Sequence, residues 1–149
     1  MTKHEAVEAY FRSKAEELAA GAMGYNYTPE TPYQISLVTI YSDKIRKKYL
    51  IGAEKEYGFA IFLTRPYSTD SGDDLNLSAM NFAQSLMDWI EEQNREKAYP
   101  AFPEGCQIKK MECLQNMPNL SGVNAEEGIA QYMVQCNIIY FEQKGGTRE

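Results

Sequence analysis

Between residues 75 and 95 the sequence runs LNLSAMNFAQSLMDWIEEQNR, and Leu75, Ala79, Phe82, Ala83, Leu86 and Ile90 recur three and four apart. Only an α-helix gathers residues at that spacing into one stripe. A helix of this extent is about 30 Å long, so its apolar stripe needs an equally long partner surface. The preceding "STDSGDD" (68–74) supplies N-cap candidates, and Asp73 and Asp74 suit the positive end of the helix dipole. Beyond Arg95, Pro100 and Pro103 forbid continuation, and Tyr99 and Phe102 alternate with them to pin the exit loop to the core. Trp89 lies one residue off the stripe and is expected to seal the helix edge against a sheet.

The partner surface is read from the strands. "QISLVTIYS" (34–42) and "YGFAIFLTR" (57–65) are rich in β-branched and aromatic residues. "KIRKKYLIG" (44–52) alternates less cleanly, and "GAEKE" reads as a turn, giving a hairpin over 44–65 with a projecting tip. "CQIKKMECLQ" (106–115) reads as a weak strand and 116–128 as a loop. "IAQYMVQCNIIYFEQ" (129–143) is the best strand, with Tyr132, Val134, Cys136, Ile138 and Tyr140 on one face. A first amphipathic helix over 4–22 carries Val7, Phe11, Ala15, Leu18 and Ala22 on one side, with Gly21 and Gly24 to end it, and 25–33 is a Pro-punctuated loop. The order α-β-β-β-α-β-β predicts one α+β domain over 1–149: a mixed or antiparallel sheet of about five strands with two main helices packed on it. Residues 1–3 and 144–149 are expected to be loose. Leu75, Phe82, Leu86, Trp89, Ile90, Val134 and Ile138 are its expected core.

The functional residues are sparse. The chain carries a net charge of −6, the wrong sign for neutralising phosphates, so no nucleic-acid binding is expected. Its three cysteines, Cys106, Cys113 and Cys136, form neither a CxxC pair nor an even framework, and the one histidine, His4, sits near an end expected to fray. No metal, cofactor or Cys–His nucleophile is expected. The first residues lack the apolar stretch of a signal peptide, and no apolar run approaches the roughly 18 residues of a membrane span. A reducing cytoplasm is the expected setting. Asp88, Glu91 and Glu92 form a carboxylate cluster, but at helical spacing they read as a solvated face, with Arg95 four residues from Glu91. "RKK" (46–48) is the basic run, suited to guarding a strand edge or to meeting an acidic neighbour. The expected subunit interface is therefore Arg46, Lys47, Lys48, Tyr49, Glu54, Lys55 and Glu56.

Three features of residues 80–146 carry a resemblance: the helix "NF…L..WIEEQN", the loop "P.F.EG" and the last strand "Y.VQC.IIY". The segment resembles small proteins of prophage morphogenesis clusters in Gram-positive bacteria, labelled minor capsid or tail-terminator-like. That resemblance implies a tail-terminator-like α+β subunit that forms a ring, usually of six. It would join head to tail, with tail-tube and head-connector proteins as partners and no catalysis or cofactor. It further implies the host cytoplasm during assembly and the virion neck afterwards. Two other classes fit the bare composition. One is a small acidic binding or regulatory protein that docks on a basic partner. The other is a small transferase with a pocket between hairpin and helix.

Overall fold

A computed structural model describes residues 2–19, 23–25, 34–66, 75–115, 119–124 and 128–143. The elements are α1 (Lys3–Ala19), β1 (Met23–Tyr25), β2 (Gln34–Lys48), β3 (Gly52–Pro66), α2 (Leu75–Arg95), β4 (Cys106–Cys113), β5 (Asn119–Asn124) and β6 (Ile129–Gln143). Across the sheet the order is β1-β2-β3-β6-β4, and β5 pairs with the first part of β6 on the same side as β4. β1 runs parallel to β2 and every other pair is antiparallel. The architecture is α+β, as the element pattern predicts.

The sheet's alternation decides which side carries the core. Tyr57, Phe59, Ile61 and Leu63 of β3 are buried beside Tyr132, Val134, Cys136, Ile138 and Tyr140 of β6, together with Ile35 and Leu37 of β2. Both helices meet this set: Val7 and Phe11 from α1, and Ala83, Leu86, Met87 and Ile90 from α2. The expected core residues Leu86, Ile90, Val134 and Ile138 are fully or nearly fully buried, Phe82 is half-buried against them, and the side chain of Leu75 lies outside the described residues.

Trp89 needs a correction. It is half-buried, and its ring meets Tyr10 and Phe11 of α1 at centroid distances of 5.5 and 5.8 Å, with the Lys14 ammonium 5.1 Å from the ring. It packs at the edge of the core and seals α2 against α1.

The boundaries also differ from the sequence reading. α1 starts with a capping box: Glu5 N–H donates to Thr2 Oγ1 at 3.1 Å and Thr2 N–H to Glu5 Oε1 at 2.7 Å. Lys3 is then tied to Asp43 and Glu142, so the expected loose start does not apply to Thr2 and Lys3. His4, expected near a fraying end, lies within α1 with its Nδ1 3.0 Å from the Tyr57 hydroxyl. Gly24, expected to end the first helix, belongs to β1, and β5 occupies part of what reads as a loop. The proposed caps at 68–74 and the tail at 144–149 lie outside the described residues.

α2 stops where expected, by a defined device. Ala98 N–H donates to Gln93 O at 2.9 Å and Lys97 N–H to Asn94 O at 3.2 Å, with Lys97 at φ 57°. These are the two bonds of a Schellman motif, with lysine where glycine is usual. The exit loop is pinned by Phe102, which packs between Tyr57 and Tyr140, and by Tyr99, whose hydroxyl donates to Asn94 Oδ1 at 3.0 Å.

Candidate subunit interface

β2 and β3 form one long hairpin, and its turn is not where the sequence suggests. The chain reverses at 49–51, closed by Tyr49 N–H donating to Gly52 O at 2.8 Å, while Gly52 and the rest of "GAEKE" belong to β3. The two expected strands 34–42 and 44–52 are one strand, broken in register between Thr39 and Tyr41, Tyr41 and Lys44, and Ile45 and Lys47. Gly52 is required for a different reason from a turn. A Cβ there would lie 2.4 Å from the carbonyl oxygen of Glu142 and 2.7 Å from the Phe141 ring, so β6 can pair alongside only if residue 52 has no side chain.

The stem is cross-braced on both faces of the sheet. On one face Arg46 Nη1 meets Glu54 Oε2 at 3.1 Å, Arg46 Nε lies 3.7 Å from Glu56, and Lys109 Nζ meets Glu54 Oε1 at 2.7 Å. Glu56 also accepts from Asn137 Nδ2 at 2.8 Å and from the Tyr41 hydroxyl. On the helix face Lys55 meets Glu142 at 3.1 Å, Lys3 meets Asp43 at 3.1 Å, and Tyr140 donates to Asp43.

These contacts set the charge states. Lys109 holds the Glu54 carboxyl below its ordinary range. Burial pushes the Glu56 carboxyl up, but hydrogen bonds from Tyr41 and Asn137, with Lys44 and Arg46 nearby, bring it below its ordinary value. Burial and the Glu56 carboxylate together push the Tyr41 hydroxyl up to about 12. Glu54 and Glu56 are therefore ionised at neutral pH and committed to bonds within the subunit.

The seven expected interface residues thus divide. Glu54, Lys55 and Glu56 are half-buried and occupied in the brace, and Arg46 is exposed yet bonded to two of them. Lys47, Lys48 and Tyr49 remain outward, with Lys47 5.3 Å from the centre of the Tyr49 ring. The most exposed apolar side chains are ones that the sequence reading passed over: Leu50 at 91% exposure and Ile51 at 64%, with Ile45 at 50%. Their signal was available in three apolar residues between a lysine run and a glycine. A turn read at 52–56 hides it, because the chain reverses at 49–51.

Beside the tip lies a cleft of about 420 Å³, bordered by Ile45, Tyr49 and Ala53 and by the charged Lys48, Lys55 and Glu142. Such a tip offers apolar contact on a stem that does not need to reorganise, which reduces the entropic cost of docking.

The carboxylates of α2 lie elsewhere. Asp88 and Glu91 are exposed, and Arg95 pairs with Glu92 rather than with Glu91 as expected. Among the described residues no group of three or more His, Cys, Asp and Glu is placed to hold a metal ion. Cys136 is fully buried, as expected for a small apolar residue, with its sulfur 3.9 Å from that of Cys113. No helix is long and apolar enough to cross a membrane among the described residues. The sequence matches no protein-family model and no curated protein.

Proposed function

We propose that this chain is a non-catalytic assembly subunit that docks onto copies of itself through the β2–β3 tip and closes into a ring. The carrying observation is the tip itself, with Tyr49, Leu50 and Ile51 exposed in succession at the end of an ion-paired stem. Apolar residues displayed together in this way mark a surface built to be covered. A ring needs one such patch and a different acceptor patch on the same subunit, because head-to-tail contacts close by rotation. The resemblance of residues 80–146 supports a specific setting for the ring, as a phage tail terminator or head–tail joining protein. In that setting its partners are tail-tube and head-connector proteins, and it moves from host cytoplasm to virion neck. The alternative of an acidic protein docking on a basic partner fits the tip poorly, because the tip is flanked by cations.

The test is the mass of the purified chain in solution by light scattering, combined with negative-stain imaging. Rings that are lost in Leu50→Ser/Ile51→Ser support the reading. A chain that stays monomeric at high concentration, and does not cap purified tail tubes, refutes it.

A further inference from the structure

Resting on the hairpin as an assembly surface, the structure leaves open what the tip meets. Charge answers this. Residues 43–56 hold five cations and three carboxylates, while the rest of the chain holds ten cations and eighteen carboxylates. The three hairpin carboxylates, Asp43, Glu54 and Glu56, are bonded within the subunit, and Lys47 and Lys48 face outward. The tip is thus a local positive surface on an acidic molecule.

The acidic counterpart is the outer face of α2. Helical spacing puts Asn81, Gln84, Ser85, Asp88, Glu91 and Glu92 on the side opposite the buried Ala83, Leu86 and Ile90. Just past the helix end, Glu96 crowds Glu92, and that neighbouring carboxylate pushes the Glu96 carboxyl up. Arg95 is ion-paired with Glu92, and its charge offsets only part of the effect on Glu96. Folding therefore leaves like charges adjacent on this face, a cost that an incoming cation relieves.

The two surfaces lie toward opposite sides of the sheet. α2 packs mainly toward β4, and the hairpin's outer strand is β2, three strand spacings or about 14 Å away. Among the described residues no ion pair joins Lys47 or Lys48 to Asp88, Glu91 or Glu96 of the same subunit. Strand-to-strand continuation is also blocked on the β4 side. Met111 N–H already donates to Asn94 Oδ1 at 2.9 Å, and Lys109 O accepts from Tyr99 at 3.3 Å. Contact there must be made by side chains.

We infer that the cationic β2–β3 tip of one copy docks on the acidic outer face of α2, around Asp88, Glu91 and Glu96, of a second copy. The contact is head to tail, with Lys47 and Lys48 opposite the carboxylates and Leu50 and Ile51 covered at its centre.

Sedimentation velocity of the full chain at roughly 50 and 500 mM salt tests this, because screening of such pairs weakens association. Four proteins are compared: wild type, Lys47→Glu/Lys48→Glu, Glu91→Lys/Glu96→Lys, and the chain carrying all four changes. The exposed positions leave circular dichroism unchanged. Expected are a tenfold or greater loss of association at high salt and in each reversed pair, and recovery in the fourfold variant. Association that ignores salt and charge reversal, yet is lost in Leu50→Ser/Ile51→Ser, overturns the α2 acceptor and leaves self-assembly standing. A monomer at every salt, or one that binds only vesicles containing phosphatidylserine, overturns both.

Discussion

Asn94 is the residue on which the junction between α2 and the sheet turns, and Asn94→Ala isolates its contribution. Its Oδ1 accepts from two donors, the Met111 backbone N–H at 2.9 Å and the Tyr99 hydroxyl at 3.0 Å. Tyr99 has alternatives, with Lys109 O at 3.3 Å and Asn94 O at 3.4 Å, so its hydroxyl can turn to a carbonyl. The amide of Met111 has no such freedom, because its side chain is fully buried and its strand is fixed against β6. The alanine variant therefore leaves one buried donor unsatisfied, at a cost of about 2 kcal/mol. In a chain of this size that lowers Tm by about 6 °C. Hydrogen exchange gives the sharper assay. If opening at β4 becomes easier by that energy, protection of the Met111 amide drops about 30-fold, while the centre of β3 follows only the global change. Asn94→Asp keeps an acceptor and should recover most of the loss. A Tm within 1 °C of wild type, with Met111 protection unchanged in Asn94→Ala, would refute the reasoning.

Four further outcomes follow from the same geometry. Trp89→Ala should cost about 2 kcal/mol, less than for a fully buried tryptophan, because the ring is only half-buried against Tyr10, Phe11 and the core edge; urea melts measure it. Gly58→Ala should destabilise by about 2 kcal/mol, read the same way, because the new Cβ would meet the Tyr41 ring at 2.4 Å and push its hydroxyl off Glu56. Lys97→Gly should stabilise by about 0.7 kcal/mol, seen as a Tm rise of about 2 °C, because residue 97 sits at φ 57°. The last outcome concerns pH. Burial pushes the Asp43 carboxyl up, but Tyr140 and Lys3 outweigh it and hold the carboxyl below its ordinary 3.8. A depressed folded value gives stability above the unfolded pKa that is lost as pH falls through the folded one. Asp43→Asn, tolerated at φ 57°, should therefore flatten the Tm profile below about pH 5 and leave its slope at pH 7 to 8 unchanged.

What could be read ahead of the structure follows how local each signal is. α2 and the inward face of β6 were legible because 3.6- and 2-residue periods persist over many residues there, and both carry the core. β2 reads as two strands because its register breaks disturb the alternation that identifies a strand. The turn reads too late in the sequence because a glycine forced by the approach of β6 resembles a glycine that bends the chain. β5, with the sequence NLSGVN, has turn composition and becomes a strand through pairing with β6. Asn94, with Glu91, Glu92 and Gln93, reads from the sequence as the solvated end of a helix. An amide near a helix end looks solvated until its partner, 17 residues on, is known.

The two sides of the sheet are treated differently, and that asymmetry bears on how copies meet. On the β4 side, side chains replace missing strand partners. Asn94 and Tyr99 occupy the outer groups of β4, and where β4 gives way to β5 the Gln115 side chain fills in: its Nε2 donates to Met133 O at 2.9 Å and its Oε1 accepts from Gln135 N–H at 3.1 Å. On the β2 side, β1 pairs only with Ile35–Leu37, and among the described residues no strand lies along the outer edge of 38–48. That edge carries Lys44, Arg46, Lys47 and Lys48 and is interrupted by register shifts. Charges and bulges of this kind discourage one sheet from adding to another. A second copy brought edge to edge would place these cations against one another, whereas the same cations attract an acidic helix face. The edge that prevents open-ended strand addition therefore favours a single side-chain-mediated docking geometry, which a closed ring requires.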